Sequence, residues 1–214
     1  MSRTARAIWT NILPMTPVFS TDDVTRITGS QRSNTSRDLA RMASEGLITR
    51  IRRGLWAVPG HPDFSPLAVV PHLFDGERMG YVSILSALGL HGLIEQIPRR
   101  VQVVSQKQRP RLETPVGTFE FHRISENLFG GFKPYGSLGL FDIASPEKAL
   151  FDTLYVSARR GKRYAHLPEV TIGLEFVRKD LNGWIGEIKD PRLRSAVSRR
   201  WEKLELETEE QAGR

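Results

Sequence analysis

The side chains best equipped for chemistry in this sequence are guanidinium groups, and they are bunched at one end. Residues 1–59 hold nine arginines (Arg3, Arg6, Arg26, Arg32, Arg37, Arg41, Arg50, Arg52 and Arg53) against four carboxylates (Asp22, Asp23, Asp38 and Glu45). The first quarter of the chain therefore carries most of the formal net charge of +7. No lysine precedes Lys107, so every early cation is a planar fork of donors, the shape that matches a phosphate or the exposed edge of guanine. A positive cluster of this kind favours an anionic polymer, because each phosphate contact releases counterions. A compositional bias towards arginine is the plain alternative.

The segments between these arginines must position them. Ala5, Ile8, Trp9 and Ile12 fall at helical spacing and stop at Pro14, which predicts a first helix. Ser20-Thr21-Asp22-Asp23 supplies hydroxyl caps and first-turn carboxylates for a second helix running to Thr28, and Gly29 permits a left-handed turn behind it. A third helix is expected from near Ser33, with Leu39, Met42 and Ala43 facing inward. Gly46 ends it. Two β-prone runs, 47–51 and 55–58, then flank Arg52-Arg53-Gly54, which reads as a hairpin with a basic tip.

That order is a winged helix-turn-helix, in which the third helix lies in the major groove and other cations hold the backbone. Gln31, Arg32, Asn34, Thr35 and Arg37 are the candidate base-edge contacts; Arg41, Arg50, Arg52 and Arg53 are the candidate phosphate contacts. A winged helix serving protein contacts alone is the alternative. It usually shows a neutral or acidic third helix, and this one is basic.

The expected fold class is α+β: a winged helix-turn-helix over residues 1–60, a larger mixed α+β domain over 61–205, and a frayed acidic tail over 206–214. His61-Pro62-Asp63 and Ser65-Pro66 have the composition of a junction. Leu67 to Phe74 and Tyr81 to Leu93 read as helices, 101–105 and 117–124 as strands. Ser145-Pro146-Glu147 caps a further helix, and 169–189 and 191–205 read as two more, split at Asp190-Pro191. Two secondary basic clusters, Arg99-Arg100 with Lys107, Arg109 and Arg111, and Arg159-Arg160-Gly161-Lys162-Arg163, suit a nucleic-acid backbone or an ordinary solvated loop.

A hydrophobic content of 39% with 26% charged residues belongs to an ordinary globular chain. No apolar run approaches the roughly 18 residues of a membrane span, and the N-terminus lacks a signal-peptide pattern, so a cytoplasmic location is expected. The absence of cysteine excludes disulfides, thiolate zinc sites and thiol nucleophiles. His61, His72, His91, His122 and His166 are scattered, with no HExxH or other metal spacing, and no P-loop, GxGxxG or GxSxG occurs. No cofactor and no enzymatic activity are expected. Asp180 with Glu187 and Lys189 faintly echoes the PD-(D/E)xK nucleases, but on a helix Glu187 and Lys189 would point to different faces.

Three blocks together resemble the AbiEi-type antitoxins and related regulators of phage-defence operons. They are Gly46-Leu47-Ile48 with Arg53-Gly54-Leu55-Trp56, Tyr81 to Leu88 with His91-Gly92-Leu93-Ile94, and Ile143 to Asp152 with Tyr155. The wing position where that family often has tyrosine is Trp56 here. The resemblance implies a transcriptional autorepressor of a type IV toxin-antitoxin operon that binds double-stranded DNA at inverted repeats. It also implies opposition to a nucleotidyltransferase-like toxin without a stable complex. An interaction or RNA-binding module, with the activity in the C-terminal domain, is the other class kept open.

Overall fold

The computed structural model describes residues 2–74, 79–160 and 168–212. Helix α1 (Arg3–Ala7) is capped by the Ser2 hydroxyl, which accepts the Ala5 N–H at 3.1 Å, and runs on as a π-helical turn, Ile8–Ile12. The wider turn keeps Ile8 and Ile12 buried but leaves Trp9 39% exposed, so Trp9 does not share the inward stripe that even helical spacing suggests. Strand β1 (Val18–Ser20) leads into α2 (Thr21–Thr28) through a full capping box: the Ser20 hydroxyl accepts from the Asp23 N–H at 3.1 Å, and the Asp23 carboxylate accepts from the Ser20 N–H at 2.9 Å. Gly29 follows at φ 60°, the left-handed turn its position calls for. Helix α3 (Arg32–Ser44) and the hairpin of β2 (Thr49–Arg52) and β3 (Leu55–Ala57) complete a winged helix-turn-helix, with strand order β1-β3-β2.

Successive residues of a strand face opposite ways, and this small sheet uses both of its faces. Phe19, Trp56 and Val58 pack with Ile8, Ile12, Val24, Leu39 and Met42 of the helices. Val18, Ile51, Leu55 and Ala57 belong instead to the apolar cluster of the remaining chain, beside Val69, Leu73 and Phe74. The hydrophobic packing is thus continuous across residue 60.

Beyond the junction, a 3₁₀ helix (Pro66–Leu73) is capped by Ser65, whose hydroxyl accepts the Leu67 N–H. Then come β4 (Gly80–Val82), α4 (Ile84–Leu90), β5 (Val101–Ser105), β6 (Leu112–Thr114), β7 (Gly117–Arg123), β8 (Phe132–Pro134) and β9 (Asp142–Ala144). They form one mixed sheet in the order β6-β7-β5-β4-β9-β8, with β5/β7 and β4/β9 parallel. Helix α5 (Pro146–Arg160) packs against α4, α6 (Arg178–Gly186) and α7 (Pro191–Ala212). Among the described residues no helix is long and apolar enough to cross a membrane. The fold class is α+β, as the sequence indicates.

Three elements differ from expectation. The stretch 81–93 is not one helix: Tyr81 and Val82 extend β4, and the helix begins only after a sharp turn at Ser83-Ile84. Residues 168–177 are irregular ahead of α6, where Thr171 donates its N–H to the Leu93 carbonyl at 2.8 Å and Gly173 weakens any helix. The segment after 205, expected to fray, continues α7 to Ala212, in keeping with the helix propensity of its Glu and Gln residues and the buried Leu204 that anchors it.

The larger domain is centred on a fully buried ion pair. Lys148 and Asp152, one turn apart on α5, pair directly, and the second oxygen of Asp152 accepts from the Tyr81 hydroxyl at 3.0 Å and the Ser83 hydroxyl at 2.7 Å. The Lys148 ammonium also lies 4.8 Å from the ring centres of both Phe151 and Trp184. Burial pushes the Asp152 carboxyl up and the Lys148 amine down, while their mutual attraction opposes both shifts. Gly131 (φ 69°) makes room: a Cβ there would meet Trp184 at 2.8 Å and Lys148 at 3.0 Å. Ile84, buried at φ 55°, a conformation β-branched residues avoid, is held between the Ser83 bond to Asp152 and a bond from the Leu85 N–H to the Gln102 side chain at 2.9 Å.

Lys148→Met strands the carboxylate and is expected to cost about 3–5 kcal/mol of stability by chemical denaturation. Adding Asp152→Asn, which keeps an acceptor for Tyr81 and Ser83 but removes the charge, is expected to restore much of that loss. Equal destabilisation in the single and double variants would show that the pair is not the organising contact.

Candidate nucleic-acid interface

Burial divides helix α3 cleanly. Thr35, Leu39 and Met42, spaced by four and three residues, are buried, so the opposite face is exposed by geometry. That exposed face carries Ser33, Asn34, Arg37, Ala40 and Arg41, with Gln31 and Arg32 at the helix start. Arg37 lies almost opposite the buried stripe, and its guanidinium donates to the Asn34 side-chain carbonyl at 3.5 Å. Thr35 is the exception among the candidate base readers. It is 1% exposed and its hydroxyl is turned back to the Gln31 carbonyl at 3.3 Å, so it belongs to the core and cannot reach a base. Ser33 and Ala40 were not among the sequence candidates, yet share the outward row with Arg37; small uncharged side chains give no chemical signal of their own.

The wing is tied to the helices at several points. The Thr21 N–H donates to the Gly54 carbonyl at 2.8 Å, and the Trp56 indole donates to the Thr21 hydroxyl at 2.9 Å inside the core. A Cβ built on Gly54 would lie 4.0 Å from the Arg32 guanidinium, which places that group, reaching from the start of α3, beside the wing tip. Arg32 is steadied by Asp22, and the Thr4 hydroxyl donates to Asp38 at 2.6 Å, tying α1 to α3. Arg41 lies 3.7 Å from Asp38 and 4.0 Å from Glu45. Such exposed pairs contribute little, about 0–1 kcal/mol each, and give way readily to a stronger anion.

The four candidate phosphate contacts are not equivalent. Arg53 is exposed at the tip, and Arg50 is exposed with its guanidinium 5.8 Å from the Trp56 ring centre. Among the described residues no carboxylate forms an ion pair with Arg37, Arg50 or Arg53. Arg52 is half-buried and points the other way, donating to the His72 carbonyl at 2.9 Å. Arg109 donates to the next carbonyl, Leu73, at 2.8 Å while its guanidinium covers the Phe74 ring at 4.6 Å. The open end of the 3₁₀ helix is therefore capped by two arginines, one from the wing and one from the larger domain.

His72 sits at the same junction. Burial lowers its pKa; Asp23 acts against that shift, and Arg52 adds to it. For Asp23, burial raises the carboxyl, but the Ser20 hydroxyl and N–H and the Arg26 guanidinium outweigh it and hold the group below its ordinary range.

Elsewhere the candidates are weaker. Arg159 of the second basic cluster donates to the Arg123 carbonyl at 3.1 Å, beside a polar cleft of about 250 Å³ that Gln108 also lines. Gly161, Lys162 and Arg163 of that cluster, and His166, lie outside the described residues. Asp180 is on α6 whereas Glu187 and Lys189 lie past its end, and all three are exposed. No group of three potential metal ligands occurs among the described residues.

Residues 13–59 match the model of a protein family described as "Transcriptional regulator, AbiEi antitoxin". The matched stretch spans β1 to β3, the helix-turn-helix and wing. A comparison with curated proteins finds no match. Among solved structures, the chain resembles the RV2827C protein from Mycobacterium tuberculosis, with a TM-score of 0.51 and 15% identity over 92% of this chain and 72% of that one. At that identity the likeness is one of fold.

The capping box gives a pH signature. A carboxyl held low in the folded state contributes stability that is complete above its unfolded pKa of about 4 and is lost as pH falls through the folded value. Asp23→Ala is expected to cost about 1 kcal/mol at neutral pH and to flatten the acid limb of the stability profile below about pH 4. Denaturation curves at several pH values measure both, and an unchanged acid limb would remove Asp23 from that role.

Proposed function

We propose that this chain is a sequence-specific DNA-binding transcriptional regulator whose helix α3 enters the major groove while the wing holds the flanking backbone. The observation that carries it is the juxtaposition of an exposed Gln31, Arg32, Asn34 and Arg37 face with a wing tip whose arginine has no carboxylate partner among the described residues. The family match over the same residues supports the assignment to regulators of this kind. Gln31, Asn34 and Arg37 are assigned to base edges. Arg32 is assigned to the groove beside the wing. Arg41, Arg50 and Arg53 are assigned to phosphates, whereas Arg52, held by the His72 carbonyl, is assigned to the framework behind the wing.

The further assignment is to autorepression of a type IV toxin-antitoxin operon at inverted repeats, with the chain acting as antitoxin towards a nucleotidyltransferase-like toxin by a functional link that needs no stable complex. It rests on the family match and on the Tyr81 and Pro146 sequence blocks. The protein is assigned no catalytic role and a cytoplasmic location. Mobility-shift assays on DNA upstream of its own gene test the regulator. Specific binding is expected to weaken with log salt at a slope of about −5 for six phosphate contacts, and a slope near zero would overturn it.

Single substitutions test the division of labour. Arg37→Ala is expected to cost about 1–3 kcal/mol on the matched site and to relax preference at one base pair, whereas Arg53→Ala should weaken matched and scrambled sites alike. If both changed preference equally, the separation into readers and anchors would be wrong.

A further inference from the structure

A cleft of about 380 Å³ opens between the start of the 3₁₀ helix and α4. Its walls are apolar, built chiefly from Pro66, Leu67, Leu90, Ile94, Ile97 and Val101. The two wall hydroxyls are already engaged: Ser86 donates to the Arg100 carbonyl at 3.1 Å and accepts from the Gln102 N–H at 2.9 Å, and Ser65 accepts from the Leu67 N–H at 3.1 Å. Among the described residues that line it, the ionic side chains are Glu95, which is exposed, and Arg100, which lies 3.6 Å from Glu120. Ile97 is left 92% exposed at the lip. Leu67 and Leu90 also wall a neighbouring cleft of about 320 Å³ that reaches Tyr135 and Phe141. Small-molecule sites have this size and make-up: roughly 300–1,000 Å³, mostly apolar, with a few polar groups that set orientation.

The cleft has a mechanical link to the wing. Ser65, Pro66 and Leu67 line it at one end of the 3₁₀ helix, and the His72 carbonyl that holds Arg52 lies at the other. Between them Ala68, Val69 and Val70 are buried, so the segment is packed on its inner side along its length. Pro66 and Leu67 thus lie on the same element whose far end is held to the β2–β3 hairpin through Arg52.

We propose that this cleft is an effector site for a small, largely apolar molecule, aromatic or short-chain aliphatic, with one polar group at the Glu95 and Arg100 mouth, and that its occupancy is transmitted through the 3₁₀ helix to the wing. The transmission to DNA affinity rests on the DNA-binding role proposed above; the site itself does not. An open apolar floor whose two serine hydroxyls are already hydrogen-bonded disfavours a strongly polar ligand, because desolvating such a ligand there would go uncompensated.

The probe is anilinonaphthalene sulfonate, an aromatic body with one anionic group, titrated into the full chain and followed by fluorescence. Saturable binding at one site per chain is expected. It should be lost in Leu90→Trp, which fills the cleft, and in Ile97→Asp, which places a charge on an already exposed lip and so leaves folding intact by circular dichroism. Binding undiminished in both variants, or no saturable binding at all, overturns the site. A concentration-dependent dimer that Ile97→Asp abolishes, with no probe bound, means that a second copy of the chain covers the cleft, and also overturns it.

Hydrogen exchange of residues 49–57 with and without the probe reads the transmission without DNA, and operator affinity is expected to change by about fivefold or more. A response in wing exchange without any DNA binding upholds the cleft and overturns the DNA-binding role instead. No response in either measurement overturns the transmission.

Discussion

Lys148 and Asp152 face each other in the middle of the larger domain with both side chains fully enclosed, and much of the architecture can be understood as the means of making that arrangement tolerable. An ion pair removed from water recovers its desolvation only when its remaining hydrogen-bonding capacity is used. Here β4 supplies the Tyr81 hydroxyl, the turn into α4 supplies the Ser83 hydroxyl, α6 supplies the Trp184 face, and Gly131 keeps the loop before β8 clear. Three separated stretches of chain, around 81–83, 131 and 184, are thereby fixed relative to α5. The stretches around Tyr81 and Pro146, far apart in sequence, meet at this pair. The strained backbone at Ile84 is a local consequence, because the Ser83 hydroxyl reaches Asp152 only if the chain turns sharply there.

The outer surface of the winged helix is arranged on the opposite principle. Its cations are exposed, weakly paired or unpaired among the described residues, and steadied by helix caps and by the wing rather than by enclosure. Weak pairing leaves such a surface able to exchange its partners for an external anion, since little is surrendered when Asp22 or Asp38 is replaced. Arg52 shows where the two regimes touch. Its donation to the His72 carbonyl makes one cation of the wing part of the internal framework.

Much of the small domain was legible in sequence because its signals are local. Ser20 with Asp23, Gly29 and the Arg52-Arg53-Gly54 tip each specify their own backbone within a few residues, and each fixes an element that carries an arginine. The misassignments arise where the deciding partner is distant. Thr35 looks polar in isolation, although its four- and three-residue spacing to Leu39 and Met42 was a usable sign of burial. Arg52 and Arg53 are neighbours in sequence, and only the chain twenty residues on distinguishes them. Tyr81 and Val82 enter a strand because β5 and β9 flank them, and strands of three residues such as β1, β6, β8 and β9 are too short to show alternation. Residues 168–177 kept an apolar content that resembled a helix, but their backbone partner is Leu93, far back in the chain.

The two-sided sheet of the winged helix has a consequence for any exchange of that unit. Val18, Ile51, Leu55 and Ala57 are interior residues of the larger domain although they are encoded with the smaller one. A winged helix grafted from another protein would have to bring a matching apolar underside, or leave Val69 and Leu73 open to water. Exchange of this unit is thereby restricted to replacements that share the hidden seam, while the outward side chains of α3 stay free to vary.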